Sequence, residues 1–159
     1  MELVLAYDRL EDVLALVREY TDKILEQGGD EVKKCLSAQH LDDELEDIQK
    51  KYALPNGRLY LVLVNGNVAG CVGLSRNDDD YCEIKRLYVR PEYRGQHMSQ
   101  VLIKQIIDDA KILGYKHIRL DTFPFMKAAI RLYERYGFYG IDRYNDNPAE
   151  TAVFMQADL

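Results

Sequence analysis

Between a strand-like run ending at Val89 and an amphipathic run beginning at Met98 stands Pro91-Glu92-Tyr93-Arg94-Gly95-Gln96-His97-Met98-Ser99, whose residue types suit an anion. A helix that starts straight after a strand leaves its first backbone N–H groups unpaired and points the positive end of its dipole outward, where a phosphate binds best. Arg94 adds a fixed positive charge, and Gly95, lacking a Cβ, lets a ligand come close to the backbone. Taken alone, the stretch also fits an ordinary strand-to-helix loop. A second pattern narrows the choice. Ala128-Ala129-Ile130-Arg131-Leu132-Tyr133-Glu134-Arg135-Tyr136-Gly137-Phe138 reads as a helix and its glycine stop, one crossover later, flanking the same crevice.

The elements that must position these residues follow from periodicity. Glu2 to Ala6 reads as a first strand, and Leu10, Val13, Leu14, Val17, Tyr20 and Ile24 recur at helical spacing until Gly28-Gly29 ends the helix. Glu31 to Tyr52 is a second, more polar helical region with Leu41, Leu45 and Ile48 on one face. Arg58 to Val64 and Val68 to Ser75, joined through Asn65-Gly66-Asn67, form a hairpin, and Tyr81 to Val89 adds a third antiparallel strand after the Asn77 to Asp80 turn. A helix over Met98 to Leu113 leads to a strand at His117 to Thr122, which the right-handed crossover rule makes parallel to its predecessor. A helix over Met126 to Tyr136 and two final strands, Phe138 to Ile141 and Thr151 to Ala157, complete the order β-α-α-β-β-β-α-β-α-β-β. In such sheets ligands bind beyond the carboxyl ends of parallel strands, which is where Val89 lies.

At 159 residues the chain has the length of one domain, 1–159. Hydrophobic residues make up 47% and charged residues 30%, with no low-complexity tract, so the whole chain is expected to fold. The formal charge of −6 argues against a nucleic-acid binder, which needs a broad basic surface. Positive charge instead gathers locally in Lys85, Arg86, Arg90, Arg94, His97 and Lys104. Cys35, Cys71 and Cys82 form no CxxC pair, which argues against a disulfide framework or a zinc site and fits a reducing, cytoplasmic setting. Residues 1–8 show no basic leader and no run approaches the length of a membrane span. His40 and His117 stand alone, so no metal is expected. Neither GxGxxG nor GxxxxGK[ST] follows any strand, which removes the common nucleotide-binding folds.

Together the two motifs resemble the GNAT superfamily of acyl-CoA-dependent N-acetyltransferases over most of the chain. Residues Leu87 to Ser99 are similar to that family's fourth strand, pyrophosphate loop and following helix. Ala129-Ile130-x-Leu132-Tyr133-Glu134-x-x-Gly137-Phe138 is similar to its later helix signature. The resemblance implies a mixed α/β (α+β) fold, with a mostly antiparallel sheet of about seven strands flanked by four helices, its fourth and fifth strands splayed. It implies acetyl-CoA in the V-shaped gap between the Tyr81 to Val89 and His117 to Thr122 strands. Pantetheine would pair with backbone at Leu87 and Val89, on either side of Tyr88, and the pyrophosphate would rest on Arg94, Gly95, Gln96, His97, Met98 and Ser99.

This chain departs from the family's Arg-x-x-Gly-x-Gly/Ala by carrying His97 and Ser99 at the glycine positions. Residues at a helix start hold right-handed angles without being glycine, so His97 is expected there, its side chain turned from the phosphates or donating to them. Met126 stands where many relatives carry Asn, and with Ala129 it joins the cofactor-contacting set. Asp121-Thr122, Met126-x-x-Ala129-Ile130 and Tyr144-x-x-Asn147-Pro148 resemble a bacterial subgroup of small GNAT proteins.

The resemblance implies that Tyr133 is the general acid that protonates the departing thiolate. The bland reading is one core tyrosine among twelve. It implies that Glu83 deprotonates the incoming ammonium, directly or through water, against the bland reading of a surface glutamate paired with Lys85 or Arg119; Asp121 and Asp142 are weaker candidates. Arg86, Asp121, Tyr144 and Asn147 are expected to shape the acceptor pocket, and Arg86 suits a forked pair of hydrogen bonds to a carboxylate. Cys71 and Cys82 fall within strands, which argues against a covalent cysteine mechanism.

The expected activity is transfer of an acetyl group from acetyl-CoA to a primary amine of a small, amino-acid-like molecule, by direct attack in a ternary complex. The rival is a module that binds acyl-CoA without catalysis. A homodimer, which the family often forms, stays open, and so does the acceptor among amino acids, polyamines, drugs and peptide or protein amines.

Overall fold

The computed structural model describes residues 1–38 and 41–159; the isolated His40 lies outside them. Asn65 and Gly66, at φ 51° and 80°, make the two-residue turn that the right-handed twist of paired strands favours. It joins β2 (Arg58–Val64) to β3 (Asn67–Arg76), and β4 (Tyr81–Val89) continues the antiparallel meander. β1 (Glu2–Leu5), β5 (His117–Thr122), β6 (Tyr139–Ile141) and β7 (Val153–Asp158) complete the sheet. Among the described residues seven strands lie in the order β1-β2-β3-β4-β5-β7-β6, and every pairing is antiparallel except β4 with β5.

The helices are α1 (Leu10–Ala38), α2 (Leu41–Glu46), α3 (Ile48–Lys51), α4 (Met98–Ile112) and α5 (Lys127–Arg135). The four helical stretches read from sequence are all present, the second of them in pieces. Gly29, at φ 56° and ψ −131°, leaves the helical region for angles open to glycine alone in practice, so two helices meet at a kink within α1 and the break falls where the sequence puts it.

Strict alternation along β2 serves both faces of the sheet. Leu59, Leu61 and Leu63 pack with Val13, Leu16 and Val17 of α1, while Tyr60 and Val62 join Leu102, Ile103 and Ile106 of α4. Each such leucine, fully buried, contributes about 1.5–3 kcal/mol. A buried hydrogen bond of 2.6 Å from Tyr60 to Asp109 Oδ2 fixes α4 over β2. Among the described residues no helix is long and apolar enough to cross a membrane.

Two irregularities open the sheet where the fold is expected to work. β4 and β5 pair only over Tyr81–His117, Cys82–Ile118 and Glu83–Arg119, and beyond that point the strands separate. Opposite the shift in register between Cys71 and Gly73 of β3, Arg86 takes φ 57°, a bulge that breaks the alternation of β4 and turns the strand beside the opening.

Candidate active site

The opening between β4 and β5 leads through three connected spaces. A cavity of about 60 Å³ lies deepest, with Lys85, Arg86, Asp121, Asn147 and Tyr133 in its wall. A groove of about 470 Å³ runs outward from it past Tyr88, Val89 and Lys127. Cavity and groove share Leu87, Met126 and Ala129, so β4 and the start of α5 border both. The groove then meets a third space of about 190 Å³ at Val89, Arg94, Ser99 and Leu132, where Gly95, His97 and Met98 complete the wall.

That outer space is the strand-to-helix junction. Among the described residues, none of the backbone N–H groups from Gly95 to Gln100 donates to a backbone carbonyl, which leaves a row of donors at the start of α4. Gly95, at φ 80°, takes a left-handed angle that side chains disfavour. Arg94 folds back so that its Nε donates to the Val89 carbonyl at 3.1 Å, fixing the guanidinium between groove and loop.

His97 corrects one expectation. Its backbone is left-handed, at φ 63° and ψ 17°, and not the right-handed angles expected of a helix start. The loop keeps the conformation a glycine would favour and imposes it on a histidine. Its ring Nδ1 lies 3.0 Å from Gln100 Nε2 in an exposed contact, and both residues border the outer space. Gln96 is exposed and lines none of the three spaces, while Met98 is buried and anchors the first turn of α4 in the core.

Tyr133 is buried on α5, its ring tilted against Phe138 at 5.5 Å. Its hydroxyl has no hydrogen-bond partner among the described residues, and burial, with the nearby Tyr20 and Asp121, pushes the phenol up from its ordinary value. A neutral phenol with its proton uncommitted at a cavity wall can act as an acid.

The polar end of the site is a chain of charges across the split strands. Lys85 Nζ lies 3.6 Å from Glu83 Oε1 and 3.8 Å from Asp121 Oδ1, with all three side chains under a tenth exposed. Tyr144 donates its hydroxyl to Glu83, while Asn145 and Asn147 donate to Asp121 Oδ2 at 3.0 and 3.1 Å. Burial raises the Asp121 carboxyl, but Lys85 and the two asparagines outweigh it and hold the group below its ordinary value. Arg119 lies 4.2 Å from both the Tyr81 and Tyr144 ring centres, which fixes the Tyr144 ring.

Of the residues read from sequence, Leu87, Tyr88, Val89, Arg94, Gly95, His97, Met98, Ser99, Met126, Ala129, Tyr133, Arg86, Asp121 and Asn147 line the connected spaces. Glu83 and Tyr144 stand one layer behind, bonded to each other. Glu83 pairs with Lys85, but as a buried pair and not a surface one. Lys85 belongs to the site although no motif marks it; its spacing of two from Glu83, which places both on one face of a strand, is the signal that points to it. Cys35 also lines the cavity, with burial pushing its thiol up to about 11, and Cys71 and Cys82 are held near 12 by the same cause. Such thiols carry little thiolate at neutral pH. Among the described residues no group of three or more His, Cys, Asp or Glu side chains could hold a metal ion.

A model of the Acetyltransferase (GNAT) family matches residues 25–138. An uncharacterized N-acetyltransferase of Schizosaccharomyces pombe is 37% identical over 94% of this chain and 88% of its own length. A GNAT family acetyltransferase from Elizabethkingia anophelis, solved with acetyl-CoA bound, is 26% identical, with a TM-score of 0.59 over 79% of this chain and 88% of that one. An acetyltransferase from Streptococcus agalactiae shares the fold at 23% identity, with a TM-score of 0.80 over 99% of this chain and 98% of that one.

Proposed function

The chain belongs to the acetyltransferase (GNAT) family, and from that premise we propose that it moves the acetyl group of acetyl-CoA to a primary amine of a small, amino-acid-like molecule by direct attack in a ternary complex. The observation that carries this reading is the continuity of the three spaces, from unpaired amides at the start of α4, through the parted strands, to the buried Tyr133. Donors, groove and acid stand in the order that a phosphate, an extended arm and a thioester require.

In this reading the amides of residues 95–100 and Arg94 hold the diphosphate, and the exposed edge of β4 at Leu87 and Val89 receives the pantetheine arm. Holding thioester and amine together supplies a large part of the rate, several kcal/mol of the barrier. The amine nitrogen bonds to the carbonyl carbon, the carbon–sulfur bond breaks, and the sulfur leaves with the proton of Tyr133. The proton shed by the amine passes to Glu83 through a water, because Glu83 stands behind the cavity wall. Arg86 offers a forked pair of hydrogen bonds to an acceptor carboxylate.

Purified protein mixed with acetyl-CoA and a panel of amino acids, polyamines and peptides, with thiol release recorded, tests the proposal. Release that depends on one amine class supports it. Tight acetyl-CoA binding by calorimetry with no thiol release across the panel would replace it with a non-catalytic acyl-CoA-binding module.

A further inference from the structure

Cavity and groove share five residues, Tyr20, Ile24, Leu87, Met126 and Ala129, and a thioester brought along the groove to an amine in the cavity would have its carbonyl at that junction. Four of the five carry hydrocarbon or thioether side chains. Among the described residues, Tyr20 is therefore the one residue lining both spaces whose side chain carries a proton donor.

Tyr20 is held there firmly. Its ring meets the ring of Tyr88 at 5.7 Å and 49°, and it packs against two clusters, one under α1 and one formed by Ile24, Leu36, Phe123 and their neighbours. The Tyr88 hydroxyl is committed to Glu19 at 3.4 Å. The Tyr20 hydroxyl has no hydrogen-bond partner among the described residues, and it is absent from the sealed, unpartnered atoms, which are Thr21 Oγ1 and Arg119 Nε. It therefore opens onto space. Phenols set in a core normally find a partner, and one left over at a junction is available to a ligand.

We propose that Tyr20 is a further catalytic residue of the acetyl transfer, its O–H donating a hydrogen bond to the thioester carbonyl oxygen as negative charge gathers there. The inference rests on the reading of the chain as an acetyl-CoA-dependent N-acetyltransferase. As the amine nitrogen bonds to the carbonyl carbon, the carbonyl π pair moves onto oxygen, where Tyr20 donates without surrendering its proton. When the pair returns, the carbon–sulfur bond breaks and the sulfur takes its proton from Tyr133. Burial raises the Tyr20 phenol above its ordinary value, which keeps the donor protonated throughout. A donor fixed before the charge develops needs no reorganisation when it does.

The test compares the wild-type protein with Tyr20→Phe, which keeps the ring on Tyr88 and removes only the hydroxyl. With carbonyl-labelled acetyl-CoA bound and no amine present, the carbonyl stretch should lie at lower infrared frequency in the wild type than in Y20F. In turnover, kcat should fall roughly 10- to 100-fold with both KM values nearly unchanged and the shape of the pH–rate profile retained. Replacing Tyr20 by 3-fluorotyrosine, a stronger donor, should lower the frequency further and keeps the question decidable if Y20F folds poorly. Identical carbonyl frequencies in all three proteins, or a Y20F kcat within twofold of wild type, overturn the assignment. A wild-type protein that binds acetyl-CoA but acetylates no amine would overturn the transfer reading separately, since the carbonyl frequency is read without turnover.

Discussion

Tyr144 donates its hydroxyl to Oε1 of Glu83 across 61 positions of sequence, and the same oxygen faces Lys85 Nζ at 3.6 Å. Glu83 is thus oriented from one side and neutralised from the other. If it accepts the amine's proton, Glu83→Gln should lower kcat about 10²- to 10⁴-fold while acetyl-CoA affinity stays within twofold. Tyr144→Phe, which only loosens the carboxylate, should lower kcat about tenfold. The double variant should be no worse than E83Q, because both changes act through one group. Steady-state kinetics with saturating acetyl-CoA check this, and full activity in E83Q removes Glu83 from the mechanism.

Tyr133→Phe should lower turnover about 10²-fold or more and leave acetyl-CoA binding nearly intact, since the phenol's proton is used only as the sulfur departs. The Tyr133 hydroxyl bonds to no other side chain or carbonyl among the described residues, so the thermal midpoint should move little. Because burial raises this phenol, it stays protonated as pH climbs past its ordinary value of 10.0, and kcat should not fall through ionisation of this group between pH 7 and pH 9. A basic limb below pH 9 that is present in wild type and absent in Y133F would contradict the direction of that shift.

Arg94→Ala should show the opposite division. Its guanidinium stands where groove and loop meet, so its removal should weaken acetyl-CoA binding by about 10- to 100-fold, as expected for one hydrogen bond to a charged group, with kcat changed far less. Calorimetric titration with acetyl-CoA and with S-acetylpantetheine separates the two effects: the shorter compound, which carries no diphosphate, should bind wild type and R94A alike.

The strands, the hairpin turn and the parallel pairing of β4 with β5 are legible in the sequence because each is set locally, by alternation, by Asn65-Gly66 or by the handedness of a crossover. The junction is legible for the same reason. What lies beyond the sequence depends on packing between distant segments. Nothing near Tyr20 tells that its hydroxyl is unpaired, because the answer lies with β4 and α5. Lys85 reads as a surface partner because burial of a Glu–Lys pair is set by Tyr144, Asn145 and Asn147, far along the chain. The residue type of His97 suggests right-handed angles, whereas the loop that Gly95 opens dictates left-handed ones.

His97 should therefore be a site where glycine stabilises. A left-handed non-glycine residue carries about 1–2 kcal/mol of strain, against roughly 0.5–1 kcal/mol for the extra freedom glycine brings to the unfolded chain. The hydrogen bond between the ring and Gln100 is exposed and contributes little. His97→Gly should thus gain about 0.5–1 kcal/mol in urea unfolding with an unchanged m-value, and acetyl-CoA binding should hold or tighten. A decrease in stability would show that the histidine side chain supports the loop.

Asp121 supplies the pH dependence. Burial raises its carboxyl, but Lys85 Nζ at 3.8 Å and the amides of Asn145 and Asn147 hold it, on balance, below the ordinary carboxylate value. A group with a depressed value in the folded state stabilises above its unfolded value of about 3.9, and that contribution fades as pH falls toward the folded value. Wild type should therefore lose stability on acidification by more than Asp121→Asn does. Urea unfolding of both proteins from pH 7 down to pH 3 should give curves that lie well apart at neutral pH, wild type the more stable, and draw together in acid. Parallel curves over the whole range would mean that Asp121 titrates alike in the folded and unfolded chains, and that Lys85 does not hold it ionised.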